Sequence, residues 1–220
     1  MREKRIKRTM TYFINATDEL INEIGIKNVT IRNVAKRAGY NSATIYNYFE
    51  NLDNLIFFGA MKNIKDYALS INLYLADTDN AMDRFLKIWE CFCNYAYLKP
   101  DIYNALFFPK LSKNMEDYVS EFYSMYPEDL VTHNETVKSM LMNGNIHARG
   151  MTTIMDCISE GFIEQQSADK LNEMTLLLFE GMLTRVISGS TSYDDARHDT
   201  MDYIKVVVKS FLIKDYSFNY

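Results

Sequence analysis

Chain-turning residues are scarce in this 220-residue protein, with 8 glycines and 3 prolines. That scarcity excludes collagen-like and Pro/Gly-rich disordered classes, and it is thin punctuation for the many short strands of an all-β protein. Three cysteines, Cys91, Cys93 and Cys157, cannot build a disulfide framework. The three histidines, His133, His147 and His198, stand alone, and no Cys/His cluster has metal-ligand spacing, so no metal site is expected. No run reaches the roughly 18 consecutive apolar residues of a membrane span. Met1-Arg2-Glu3-Lys4-Arg5 starts charged with no apolar stretch behind it, so no secretory signal is expected and a reducing cytoplasm fits. A nucleotide-binding glycine loop, His-Glu-x-x-His and Gly-x-Ser-x-Gly are all missing, so neither an enzyme nor a cofactor is expected.

What is present is apolar and aromatic: 48% hydrophobic residues, 16 Tyr, 13 Phe and 13 Met. An all-α fold with a sizeable core is the expectation. The net charge of −5 hides an asymmetry. Residues 1–56 carry nine Lys/Arg against six Asp/Glu, and the remainder 15 against 23. A basic head on an acidic body suggests that the head alone meets a polyanion.

The head reads as three short helices. Ile6, Met10, Phe13, Ile14, Leu20, Ile21 and Ile24 recur at helical spacing over about residues 6–24, and Gly25 stops the run. Thr30 caps a second helix whose inward face is Ile31, Val34, Ala35 and Ala38. Gly39-Tyr40-Asn41-Ser42 is the turn of a helix-turn-helix. Asn41 or Ser42 then caps a third helix, Ala43–Phe49. Ile45 and Phe49 face inward, which leaves Thr44, Tyr46, Asn47 and Tyr48 largely outside. An exposed face of hydroxyls and amides with almost no charge suits hydrogen bonding to base edges and phosphates in a major groove.

The run from Val29-Thr30-Ile31-Arg32-Asn33-Val34-Ala35 through Gly39-Tyr40-Asn41-Ser42-Ala43-Thr44-Ile45-Tyr46-Asn47-Tyr48-Phe49 to Leu55 resembles the N-terminal domain of TetR-family transcriptional regulators. The resemblance implies a DNA-reading domain at 1–56, followed by a helical ligand-binding and dimerisation domain at 57–220. It implies DNA contacts from Thr30, Ser42, Ala43, Thr44, Tyr46, Asn47 and Tyr48, with Ser42–Thr44 nearest base edges and the tyrosines nearest phosphates. One position departs from the family pattern. Leu52, followed by Asp53, stands where the family usually has a phosphate-contacting lysine, so phosphate binding leans on Thr30, Tyr46, Tyr48 and the basic arm Arg2–Arg8.

In the body, helices are expected at about 52–75, 81–98, 101–108, 113–125, 128–142, 147–160, 168–188 and 194–213, with residues 215–220 frayed. Eleven aromatics crowd into residues 89–126. Together with the resemblance they suggest a pocket for a small apolar or aromatic effector, lined by Trp89, Phe92, Tyr103, Phe107, Phe122 and Tyr123. Glu90, Glu180, Arg84 and Arg149 are candidates to orient it. The last two helices are apolar nearly all round, which suggests burial against a second copy through residues 168–213. The expectation is a homodimeric repressor of a palindromic operator, released by its ligand. The alternative is a helical interaction module that has lost DNA binding.

Overall fold

The computed structural model describes residues 2–109, 115–130, 132 and 134–218. Among these residues every regular element is helical, as the scarcity of turn residues leads one to expect, and the one extended pairing is an isolated bridge between Ile163 and Leu212. The α-helices are α1 (Arg2–Ile24), α2 (Ile31–Ala38), α3 (Ser42–Ile45), α4 (Leu52–Met61), α5 (Lys65–Tyr74), α6 (Ala81–Leu98), α7 (Pro100–Phe107), α8 (Met115–Met125), α9 (Glu135–Met142), α10 (Ile146–Ser159), α11 (Ala168–Ile187) and α12 (Tyr193–Lys209).

Packing groups the chain into two compact units, 1–66 with 101–130, and 67–100 with 131–220. This grouping is distinct from a division at residue 56, which follows the sequence signature of the head. In the first unit α1 packs on α2 and α4, and α4 on α8. Phe13, Ile14, Ile45, Phe49, Leu55 and Phe58 are fully buried there. The approach of α1 to α4 is close because Gly59 lacks a side chain: a Cβ at that position would lie 2.8 Å from the Thr17 Cβ. Thr17 is itself buried and donates to the Phe13 carbonyl at 2.8 Å. In the second unit α12 packs on α6 and α11, and α10 on α6, α9 and α11. Its core includes Phe85, Cys93, Ile154, Leu171, Phe179 and Ile204, with a buried hydroxyl pair, Tyr97 and Thr200, at 2.8 Å.

Several expected boundaries move. Helix α1 begins at Arg2 rather than near Ile6. The third helix is regular only over Ser42–Ile45, and Tyr46–Tyr48 continue as a turn. The expected helix at 52–75 is interrupted by a 3-10 turn at Lys62–Ile64. Buried Asp129 grips that turn region through Lys62 at 3.3 Å and Lys65 at 2.9 Å, and the Asn63 amide donates to Asp18 at 3.1 Å. Such tertiary bonds compensate for a tightened turn. Pro100, one residue before the expected start near 101, opens α7, since proline lacks only an amide that has no partner in a first turn. Residues 128–142 do not form one helix. A 3-10 turn occupies Pro127–Asp129, and α9 starts only after the Asn134 cap. Helix α12 ends at Lys209, and the tail beyond it is held rather than frayed as far as Tyr216. The Ile213 amide donates to the Phe162 carbonyl at 3.0 Å, and the Tyr216 hydroxyl to Asp83 at 2.5 Å. The last two positions of that tail, Asn219 and Tyr220, lie outside the described residues, as do the expected helix start near 113 and His133.

Candidate nucleic-acid interface

The reading segment of the head is built by its caps. The Thr30 hydroxyl accepts from the Asn33 amide at 3.2 Å, and the Asn33 side chain accepts from the Thr30 amide at 2.8 Å. This reciprocal box satisfies two amides at the start of α2. The Thr30 oxygen is the acceptor there, so the hydroxyl still has a proton to donate. Gly39 closes α2 in the left-handed region at φ 76°, a conformation that costs glycine nothing. The Asn41 side chain accepts from the Ala43 amide at 2.6 Å and starts α3.

The faces then follow from register. Ile45 and Phe49 are buried, Ala43 and Asn47 are exposed, and Ser42, Thr44 and Tyr48 are half-buried. Tyr46 stands out at 59% exposure. Tyr48 rests its ring 6.0 Å from that of Phe13, so it is partly a core residue. All seven expected DNA contacts therefore fall on α3, the turn after it and the start of α2. Residues 40–48 carry no charged side chain.

Of the three cations on α2, Arg37 is committed, while exposed Arg32 and Lys36 make no ion pair among the described residues. Arg37 binds Glu23 at 2.6 and 2.8 Å and Glu19 at 3.1 Å, which raises the arginine and holds the Glu23 carboxyl below its ordinary value. At the start of α4, Asn51 accepts from the Asn54 amide at 2.9 Å, Leu52 is half-buried and Asp53 is exposed in the first turn. An acid there complements the helix dipole and repels a phosphate.

The six aromatics expected to line one pocket divide between the two units: Trp89 and Phe92 lie in the second, and Tyr103, Phe107, Phe122 and Tyr123 in the first. All six are buried. Trp89 and Phe92 pack on Phe179, with ring centroids 5.9 and 4.7 Å away. Tyr103 packs on Phe107 at 5.7 Å, and Phe122 on Tyr123 at 5.5 Å. A cleft of about 340 Å³ in the first unit is lined by Ile26, Ile56, Ala105, Phe108 and Pro109, with the Lys27–Asp101 ion pair at 2.8 Å, and none of the six lines it. The polar candidates are also engaged or exposed. Arg84 binds Glu160 at 2.5 Å, whose other oxygen accepts from the Ala81 amide at 2.8 Å. Glu90 pairs with Lys87, Glu180 is exposed, and Arg149 donates to the carbonyls of Asn143 and Leu141 at 2.6 and 3.1 Å. Burial pushes the three cysteine thiols up to about 12, so they stay neutral and unreactive near pH 7.

On α11 and α12 the inner faces are buried while apolar side chains remain outside. Leu177 is 57% and Val206 69% exposed, with Met174 and Tyr203 also exposed. Leu178, in contrast, is half-buried.

Tyr12 and Tyr40 were not among the expected contacts, yet their rings lie 6.4 Å apart on the surface of the head. A large aromatic directly after the turn glycine was the available signal.

A capped helix-turn-helix is followed by an all-helical body. Residues 13–57 match the family described as bacterial regulatory proteins, tetR family. The HTH-type transcriptional regulator PksA of Bacillus subtilis (strain 168) is 32% identical over 121 residues, 47% of this chain. That match spans only 57% of the relative's length. Thermus thermophilus FadR, a TetR-family transcriptional repressor solved in complex with lauroyl-CoA, shares the fold at a TM-score of 0.62 and 11% identity, over 96% of this chain and 98% of that one. A TetR transcription regulator from Haloarcula marismortui ATCC 43049 does so at 0.55 and 15%, over 93% and 98%. Residues 13–57 are thus similar to the N-terminal region of tetR-family regulators, and the chain shares its fold with solved members of that family.

Proposed function

We propose that this chain is a DNA-binding transcriptional regulator that represses a palindromic operator as a homodimer and is released by a small apolar or aromatic ligand. The observation that carries the reading is the capped, uncharged, hydrogen-bonding face from Ser42 to Tyr48, with Tyr46 projecting from it. Hydroxyls and amides there reach base edges and phosphates without the indiscriminate pull of charge. The exposed apolar residues of α11 and α12 support pairing with a second copy through residues 168–213. A two-fold dimer would offer two reading segments to successive major grooves, about 34–36 Å apart. A ligand that prefers a different separation would weaken DNA binding, with a coupling of about 1–3 kcal/mol. The FadR relative that holds lauroyl-CoA supports a ligand with a long apolar part. The residues offered for such a ligand are Tyr103, Phe107, Phe122 and Tyr123 within the first unit and Trp89 and Phe92 within the second.

A gel shift with the DNA upstream of the chain's own gene tests the reading, with competition by unrelated duplex. Retarded, sequence-selective complexes are the expected result. A second reading, a helical interaction module without DNA binding, is favoured by Leu52 and Asp53 at the start of α4, where an anion-binding cation is missing. Absence of any selective complex would establish it over the first.

A further inference from the structure

A cleft of about 560 Å³ opens on the head between the start of α1 and the turn joining α2 to α3. Arg5, Arg8, Thr9 and Tyr12 form one wall, and Ala38, Gly39 and Tyr40 the other, so no carboxylate lines it. The Arg8 guanidinium is held in place by two donations to the Tyr12 hydroxyl oxygen, at 3.2 and 3.1 Å. Tyr12 and Tyr40 are 43% and 38% exposed, and the Tyr40 ring is seated on buried Phe13 with centroids 5.0 Å apart.

Unpaired guanidiniums beside two aromatic rings distinguish this cleft; Arg32 and Lys36 on α2 also make no ion pair among the described residues but are not among its lining residues. Arg37 is neutralised by Glu19 and Glu23, Lys27 by Asp101, and Lys62 and Lys65 by Asp129. Among the described residues Arg5 and Arg8 make no ion pair. Two uncompensated guanidiniums one helical turn apart call for anionic oxygens. Two flanking tyrosine rings add apolar surface and hydroxyls. A chain of alternating phosphates and sugars has both characters. Tyr40 is followed directly by Asn41 and the reading residues Ser42–Thr44, so a strand lying in the cleft continues the DNA met by that segment.

We propose that this cleft holds the sugar–phosphate backbone of the DNA strand flanking the bases met by Ser42–Thr44. Arg5 and Arg8 take phosphates, and Tyr12 and Tyr40 pack on the sugars between them. The proposal rests on the regulator reading, and it supplies the cationic contact that Leu52 and Asp53 deny at the start of α4.

The test begins with a duplex enriched by the wild-type protein from a random library, and a scrambled duplex of the same length. The Arg5→Gln/Arg8→Gln double variant is expected to weaken both duplexes by a similar factor of about tenfold or more and to leave base preference unchanged. The slope of log affinity against log salt should fall by about 1 per arginine. Tyr40→Val should weaken both duplexes by a smaller factor with the slope unchanged. Thermal melting checks that the fold is kept, and Arg5→Gln alone, at an exposed side chain, is read if the double variant unfolds. An unchanged slope, or a changed base preference, overturns the proposal. Titration with adenosine monophosphate and with inorganic phosphate separates a free anion from DNA: saturable, arginine-dependent binding of either, with duplex affinity unaltered in the double variant, makes this a small-molecule site instead. If the wild type enriches no duplex, the regulator reading falls and takes the cleft proposal with it. If it does and the double variant binds equally well, only the cleft assignment falls.

Discussion

The exposed faces of the head and of the last two helices differ in kind, although both rest on well-packed inner faces. Around α3 the outside is polar and uncharged, with its helix starts closed by Thr30, Asn33 and Asn41. Along α11 and α12 the outside is apolar, led by Leu177 and Val206. Each inner face explains why its helix is stable, and each outer face shows what kind of partner it suits. A polar surface in water loses little by waiting for a polar partner, whereas an apolar stripe gains free energy only by being covered. The contrast therefore fits the proposed function, in which one region would meet DNA and the other a second copy of the chain.

The largest effect should come from charging the apolar face. Leu177→Asp with Val206→Asp would place two unpaired charges in the proposed interface, at about 3–5 kcal/mol each if fully buried there. Sedimentation at micromolar concentration should show monomers, and operator binding should fall at least a hundredfold. Leu178→Asp is a poorer probe, because its half-buried side chain also supports the fold. An intact double-variant dimer would remove the contrast between the two faces.

Next in size is packing within the head. Gly59→Ala drives a Cβ against Thr17 and should destabilise the chain by about 1–3 kcal/mol. Gly181→Ala on α11 meets nothing within 4 Å and should be neutral or stabilising by up to about 1 kcal/mol, unless a partner helix lies close there. Chemical denaturation of the two variants side by side would show whether crowding inside the head and openness on α11 are both real.

Smaller again are the caps and the reading face. Thr30→Ala removes a box-forming hydroxyl and should cost about 1 kcal/mol of stability. Tyr46→Ala should leave melting unchanged yet weaken all duplexes alike, while Thr44→Ala should relax preference among related sites. Equal operator binding by Tyr46→Ala at matched salt would show that the docking face lies elsewhere.

The smallest effect is electrostatic. Arg37 lowers the Glu23 carboxyl in the folded state. Its contribution is present above the ordinary glutamate value, about 4.3, and is lost as pH falls through the lowered one. Arg37→Gln should lower stability slightly at neutral pH and converge with the wild type below the lowered Glu23 value, so that the acid limb is flatter in a series of denaturation curves.

Much of this contrast is already written locally. Thr30, Gly39 and Asn41 act on amides within a few residues, so their roles are readable from spacing alone. The burial of Ile45 and Phe49 follows from helical period. The length of the third helix was not readable, because Tyr46–Tyr48 have no helix stop in their sequence and leave the helix in their tertiary setting. The six aromatics between Trp89 and Tyr123 are alike in sequence, and only packing assigns them to two units. Arg149 looks like an anion binder on a helix and is instead consumed by two carbonyls of the preceding turn.

By itself the sequence determined an all-α chain, a helix-turn-helix with its caps, and the apolar surfeit of the last two helices. These depend on period and on neighbours in the chain, which a linear string contains. The tertiary structure alone decided that Leu177 rather than Leu178 faces out, that Asp129 grips the 3-10 turn at Lys62–Ile64, and that Tyr12 meets Tyr40 in the cleft that Arg5 and Arg8 line. Those outcomes depend on which distant segments arrive at the same place, where desolvation and contact, rather than local propensity, set the energy.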